Sequence, residues 1–237
     1  MFSKYIFILL FLICGMVVSV RTGKLTMAAA LTGGVLGFLI FLGAGFAGIA
    51  LLTAFFILGT LATMWHIKEK EQLHIAEKNK GRRTAGQVIA NAGVAGIASI
   101  LMWLFPEKEI VFRIMIAASF ASATADTLSS ELGSVYGKKF YNILTLQRDQ
   151  RGLDGVVSLE GTLMGMAGSC LIAIIYALFY AGIKDILIII LAGTIGNLAD
   201  SVLGASVERR QYISNDAVNF LNTLIAALFA LLLYVLF

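Results

Sequence analysis

Three aspartates of this chain each lie within or next to a long apolar run of the sequence. Asp126 is in the segment ATADTLSSELG, Asp154 in GLDGVVSLEGT and Asp200 in GTIGNLADSVLGA. A carboxylate near the end of a membrane-length segment is costly unless a cation or a hydrogen-bond donor neutralises it. We therefore predict that these three residues are catalytic, and that they bind Mg²⁺ together with Glu131 and Glu160.

Each aspartate also has a simpler interpretation. Asp126 could be a solvated residue at a helix end, although helix C-termini disfavour acids. Asp154 could cap the helix that follows it. Asp200 is harder to explain in this way, because an acid inside an apolar helix needs a nearby arginine or a metal ion.

Residues suited to phosphate binding lie close to these acids. Gly152 and Gly155 precede an apolar helix, and the free N–H groups at such a helix start bind anions. Gln87 and Asn91, four residues apart, either bond to neighbouring helices or face a polar cavity. The predicted phosphate-binding residues are Arg83, Lys138, Arg148, Gly152, Gly155, Ser158, Ser201, Arg210, Asn215 and Asn219.

The composition is typical of an integral membrane protein and not of a soluble one. Of the 237 residues 59% are apolar and 14% are charged, and the mean hydropathy is +0.90. Soluble domains are nearer half apolar and a quarter charged. Cys14 and Cys170 lie in apolar runs without a partner at ligand spacing, so neither a disulfide nor a metal site is expected. His66 and His74 are interpreted as solvated.

The hydropathy pattern predicts an all-α, polytopic membrane bundle of about eight helices in one domain, 1–237. The predicted spans are 5–20, 25–42, 46–65, 84–104, 110–128, 156–181, 186–203 and 217–237. Each is close to the length that a bilayer requires. Gly33 and Gly37 predict close helix packing. Charged loops are expected at 66–83 and 129–155. The first of these is interpreted either as a helix at the membrane surface that ends at Asn79 and Gly81 or as a loop whose first half is solvated.

The distribution of basic residues predicts the orientation. With eight spans, 14 of the 18 Lys and Arg fall in the loops of one side. Cytoplasmic loops are the ones enriched in Lys and Arg. The N-terminus is therefore predicted outside a cell membrane, with every polar motif facing the cytoplasm, where nucleotides are found. The net charge of +4 does not indicate nucleic-acid binding.

Together, the polar motifs resemble a known membrane family. The segments ADTLSSELG, GLDGVVSLEGT, GTIGNLADSVLGA and NDAVNFLNT, with RRTAGQVIAN, are similar to the integral membrane family that includes transmembrane protein 19 and the plant phytyl-phosphate kinase of tocopherol synthesis. More distantly, they resemble dolichol and phytol kinases and CDP-lipid synthases. The resemblance implies a helical membrane fold and nucleotide-dependent lipid-phosphate kinase activity. The resemblance implies that Asp126 and Glu131 belong to the family's acidic motif and Asp154 and Ser158 to its glycine motif. It likewise implies that Asp200 and Ser201 belong to an Asp-Ser motif and Asn215 and Asn219 to the last motif.

The leading functional hypothesis is therefore a kinase that transfers a phosphoryl group from CTP or another nucleotide to an isoprenyl monophosphate. The lipid tail is expected between helices near Gly33, Gly37, Gly161 and Gly165. A CDP-lipid-forming nucleotidyltransferase and a transporter with intramembrane acids as coupling sites are the alternatives. Membrane lipids are expected partners, and a homodimer is a possible assembly.

Overall fold

The fold is an all-α bundle, seen in a computed structural model that describes residues 2–73, 75 and 81–237. The expectations for His74 and Asn79 lie outside these residues. The helices are α1 (Phe2–Arg21), α2 (Met27–Met64), α3 (Ile67–Gln72), α4 (Ala85–Leu104), α5 (Glu109–Tyr136), α6 (Leu159–Ala177), α7 (Ile183–Leu203) and α8 (Asn215–Leu236). Seven of these described helices, all but α3, are long and apolar enough to cross a membrane.

The long helix α2 is folded back on itself at Gly45. This residue takes a left-handed conformation, with φ 59° and ψ −146°, which favours glycine. The two halves run antiparallel, because Lys24 Nζ lies 2.6 Å from Met64 Sδ and Leu52 packs against Gly37. Each half is about 27 Å long, close to the thickness of a bilayer core. Thus α2 supplies two of the eight predicted spans.

Helix α5 is the centre of the bundle. Helices α2, α4, α8, α7 and α6 follow one another around it, each in contact with α5 and with its neighbours in the ring. Helix α1 lies outside this ring, against α2. From Ile114 to Ala125 every α5 residue except Met115 is buried, so the membrane-embedded part of α5 is enclosed by protein and not by lipid.

Glycines let the helices of this ring approach closely. A Cβ added to Gly161 would lie 2.9 Å from the carbonyl oxygen of Ser129, and one added to Gly165 would lie 2.9 Å from that of Ala125. A Cβ on Gly37 would lie 2.8 Å from Leu12. Neighbouring side chains and helices therefore fill the space directly beside Gly37, Gly161 and Gly165, and a lipid tail near these glycines and Gly33 stays a prediction. The predicted packing role of Gly37 is confirmed.

The loops bearing the polar motifs all meet at one end of the bundle. The backbone of Arg83 bonds to Lys24 and Thr26. Two short strands, β1 (Tyr141–Asn142) and β2 (Val156–Val157), pair antiparallel in the loop between α5 and α6. The charged loop is shorter than predicted, because α5 continues as helix to Tyr136.

An ion pair fixes the loop between α5 and α6 to the end of α7. Both guanidinium Nη atoms of Arg209 donate to the Asp149 carboxylate, the shorter bond being 2.6 Å. This pairing lowers the pKa of Asp149 to about 2. The contact is therefore ionised at every pH above that value, including the whole neutral range.

The charged segment after α2 departs most from expectation. Lys70, predicted to be solvated or at the membrane surface, is fully buried. Its ammonium group donates to the carbonyl oxygens of Ala62 and Thr63, both at 3.0 Å, and lies 2.5 Å from the Glu131 carboxylate. The short helix α3 is thereby held against α2 and α5.

Candidate active site

A polar cavity of about 360 Å³ occupies the loop-bearing end of the bundle. It is lined by the adjoining ends of α2, α4, α5, α7 and α8 and by the loop 152–158. Its volume lies in the range typical of small-molecule sites. The three predicted catalytic residues, Asp126, Asp154 and Asp200, all line it.

Asp126 and Asp200 form the acidic centre of this cavity. Their side chains, from α5 and α7, line the cavity and face the same amide group of Asn219. Asn222 of α8 donates to Asp200 Oδ2 at 2.6 Å. The Asn219 amide is oriented so that its nitrogen faces acceptors. In this orientation Asn219 Nδ2 donates to one carboxyl oxygen of Asp126 and one of Asp200, both at 3.3 Å. Three helices therefore position two facing carboxyl groups.

Asp154 reaches the cavity from the loop before α6. Gly152 and Gly155 both have positive φ, 84° and 72°, which turns the loop around Asp154. Gly155 packs against Ala205 at the end of α7, where a Cβ would not fit. Asp154 does not cap α6, because Ser158 fills that role by accepting a hydrogen bond from Gly161 N at 3.0 Å.

Glu208 is a lining residue that sequence reasoning missed. It lies in a single π-helical turn, Gly204–Glu208, which continues α7. Its side chain lines the cavity together with Asp154, Asp200 and Asn215, the first residue of α8. In the sequence Glu208 is followed by Arg209 and Arg210, so nothing marks it as a site residue, whereas π-turns inside helices are often found at functional sites.

Most of the other predicted residues also line the cavity. Those that do are Arg83, Glu131, Gly152, Gly155, Ser158, Ser201, Asn215 and Asn219. Glu131 is paired there with Lys70. The guanidinium of Arg83 lies over the rings of Phe55 and Phe56, at 5.1 and 5.9 Å from their centroids.

Four predicted site residues lie elsewhere. Lys138, Arg148 and Arg210 are exposed and do not line the cavity. Glu160 points away as well, and its carboxylate accepts a hydrogen bond from the backbone N–H of Lys138 at 3.3 Å. Lys138 and Arg148 belong to the loop between α5 and α6, Glu160 to the first turn of α6 and Arg210 to the segment between α7 and α8.

Of the two roles considered for Gln87 and Asn91, the structure shows the polar cavity, and the hydrogen bonds of Gln87 Oε1 and Asn91 Nδ2 lie within α4 and its N-cap. Both line the cavity. Gln87 also completes a capping box at the start of α4, where its Oε1 accepts from Thr84 N at 2.8 Å. Asn91 donates to the carbonyl oxygen of Gln87 at 2.9 Å.

The side chains fit Mg²⁺ only as a metal shared with a substrate. Within the described residues, no three His, Cys, Asp or Glu side chains come together as a metal-binding group. Mg²⁺, however, is commonly held by one or two carboxylates, waters and substrate phosphates. Asp126 and Asp200 meet this need, since two facing carboxyl groups require a shared proton or a cation between them.

The chain belongs to the family described as integral membrane protein DUF92, whose model matches residues 10–227. It is therefore a multi-pass integral membrane protein. It is 35% identical to Protein VTE6, chloroplastic, of Arabidopsis thaliana over 80% of this chain and 59% of that protein. The chain thus spans about three fifths of that relative.

Microbial relatives match over a larger share of their length. An uncharacterised membrane protein of Synechocystis is 34% identical over 83% of this chain and 78% of its own. Another uncharacterised membrane protein, from Methanocaldococcus jannaschii, is 31% identical over 97% of this chain and 94% of its own length. No solved structure matches the chain.

Proposed function

We propose that this protein is a Mg²⁺-dependent kinase that transfers the γ-phosphoryl group of a nucleoside triphosphate to an isoprenoid lipid monophosphate. The observation that carries the proposal is that Asp126, Asp154 and Asp200 line one polar cavity at the loop-bearing end of the membrane helix bundle. Phosphoryl transfer depends mainly on positioning and charge neutralisation, which this cavity is built to supply. The similarity to VTE6 and the sequence motifs support the same class of reaction.

The reaction needs no protein base. An anionic oxygen of the lipid phosphate attacks the γ-phosphorus, and the bond from that phosphorus to the β,γ-bridging oxygen breaks. The products are the lipid diphosphate and the nucleoside diphosphate. The acceptor oxygen is already deprotonated, so the role of the side chains is to hold and orient the phosphates.

Individual residues have distinct positioning roles in this proposal. Asp126 and Asp200 would hold the metal ion, which would supply positive charge to neutralise the phosphate groups. Asn219 and Asn222 fix the two carboxyl groups in place. Arg83, which lines the same cavity, supplies positive charge to the phosphates.

A transporter is disfavoured by the packing beyond the cavity. A transporter requires alternate access to both sides of the membrane. Towards the other end, α5 is enclosed by an apolar core that includes Ile114, Phe120, Ile172 and Ile189, each essentially inaccessible. At that end Arg113, Tyr176 and Asp185 bond to one another and close the bundle further.

The test is an assay with purified protein in detergent, Mg²⁺, CTP or ATP and prenyl monophosphates of several chain lengths. Transfer of a γ-label to lipid identifies a kinase. Incorporation of an α-label with release of pyrophosphate identifies a nucleotidyltransferase. The substitutions Asp126→Asn and Asp200→Asn should each lower the rate by about 100-fold or more, the effect of removing a key charge-stabilising group.

Glu107→Gln is the matched control, because Glu107 is an exposed carboxylate at the opposite end of the bundle. It should retain wild-type activity. Full activity in both aspartate variants would exclude the proposed site. Absence of transfer from any nucleotide to any prenyl phosphate would exclude the kinase.

A further inference from the structure

Arg151 carries buried donors that nothing in the described structure satisfies. Among the described residues, the buried side-chain atoms without a hydrogen-bond partner are Nε and Nη2 of this arginine. Buried polar groups in proteins are nearly always paired, and an exception calls for an explanation such as a missing ion or ligand. Sequence reasoning did not select Arg151 as a site residue.

Arg151 lies beside the candidate active site. The next residue, Gly152, lines the cavity, and so does Phe140, whose ring centroid is 5.8 Å from the guanidinium carbon of Arg151. Ile75 packs against Gly152, where an added Cβ would lie 2.5 Å from its side chain. The backbone next to Arg151 is therefore tightly packed against Ile75.

The aromatic contact does not account for the unpaired donors. A ring attracts a cation through its face, but the N–H groups of a guanidinium point outward in its own plane. A planar fork of donors matches two oxygens of a phosphate group. Nε and Nη2 form one such fork, and both are without an acceptor.

The lining of the cavity is acidic, so an anion that binds there needs positive charge from nearby groups. Its described lining carries Asp126, Asp154, Asp200 and Glu208. Two nearby cations are already paired, Lys70 with Glu131 and Arg209 with Asp149. A polyphosphate bound here therefore needs positive charge beyond a metal ion, and Arg151 can supply it.

We propose that Arg151 is a phosphate-binding residue, whose Nε and Nη2 donate to a phosphate group of the nucleotide or of the lipid acceptor. This inference rests on the proposed function for its setting. It assigns to Arg151 the role that the sequence suggested for Arg148, which is exposed three residues earlier in the same loop.

The test measures the binding of inorganic pyrophosphate with Mg²⁺ to the purified full-length protein by isothermal titration calorimetry. Arg151→Met should weaken binding at least about tenfold, as expected for lost charge-assisted hydrogen bonds. Arg151→Lys should be intermediate, because it keeps the charge and loses the fork. Arg148→Ala, the matched control, should bind as wild type does.

The melting temperature without ligand distinguishes a role of Arg151 in phosphate binding from a role in stabilising the fold. Without ligand, Arg151→Met should melt no lower than wild type, since it removes an unpaired buried cation. Unchanged pyrophosphate affinity in Arg151→Met, or no pyrophosphate binding by the wild type, would overturn the inference. A melting temperature that falls by several degrees with unchanged affinity would mean that Arg151 only packs on Phe140.

The lipid kinase assay distinguishes the two proposals. Arg151-dependent pyrophosphate binding by a protein that phosphorylates no prenyl phosphate would sustain the phosphate site and reject the kinase. Nucleotide analogues and prenyl monophosphates, titrated separately against wild type and Arg151→Met, show which substrate supplies the phosphate.

Discussion

At the scale of single residues, the buried pair of Lys70 and Glu131 connects the structure to the site. The Lys70 ammonium group has three acceptors within 3.0 Å. Two are carbonyls in the last turn of α2, where a positive charge is favoured by the helix dipole. The third is Glu131, which lines the cavity. A residue remote in sequence thus fixes one wall of the site.

We expect Lys70→Met to lower the free energy of unfolding by about 3–5 kcal/mol, because it leaves the Glu131 charge buried and unpaired. The double substitution Lys70→Met, Glu131→Leu should recover most of this loss. Unfolding in mixed detergent micelles measures both. Lys68→Met, at an exposed position two residues away, is the control. A Lys70→Met protein as stable as that control would show that the pair is not buried as described.

The sequence identified some residues of the cavity lining because their apolar sequence neighbours set them apart. Asp126 and Asp200 were found because an acid in an apolar helix has few explanations. Lys70 and Glu208 were not, because each lies among other charges, where a solvated residue is the usual interpretation. Only tertiary packing reveals that Lys70 is buried, and only the π-turn directs Glu208 toward the cavity.

At the scale of elements, Gly45 determines the course of α2. No atom lies within 4 Å of the position of an added Cβ, so the space there is open. The constraint on residue type therefore comes from the backbone alone, which has a φ of 59°. The apolar sequence on both sides of Gly45 predicted two spans, but hydropathy could not show that a single residue reverses the chain.

Gly45→Ala should lower the free energy of unfolding by about 1–2 kcal/mol, the cost of a left-handed conformation for an L-residue. Gly15→Ala is the control, since its added Cβ also meets no atom and its backbone is helical. That change should be neutral or stabilising by up to about 1 kcal/mol. Equal effects of the two substitutions, measured by unfolding in the same detergent, would contradict a left-handed reversal at Gly45.

At the scale of the whole molecule, the polar cavity and most of the basic residues lie at one end. The segments around Lys24, Arg83, Asp149 and Arg209 meet there through backbone bonds and ion pairs. The opposite end carries little positive charge. This separation was predictable from the sequence, because it follows from the loop charges and the number of spans.

Single cysteines introduced at Lys68, Lys138 and Arg210, which are exposed at the site end, should react with a membrane-impermeant maleimide only from the cytoplasm. Cysteines at Lys108 and Lys184, exposed at the other end, should react only from outside. Cys14 and Cys170 are first replaced by alanine. Labelling of the two groups from the same side would reject the bundle as described, and the reversed pattern would place the site outside the cell.

The enclosure of α5 has a consequence for biogenesis. Of the seven described spans, α5 is both the least apolar and the most buried. Lipid alone is therefore a poor solvent for it, and a nascent α5 has little affinity for the hydrocarbon interior until other spans surround it. Its stable integration should therefore depend on the segments synthesised after it, α6 to α8. The translocon would have to release the helix that carries Asp126 together with those later spans.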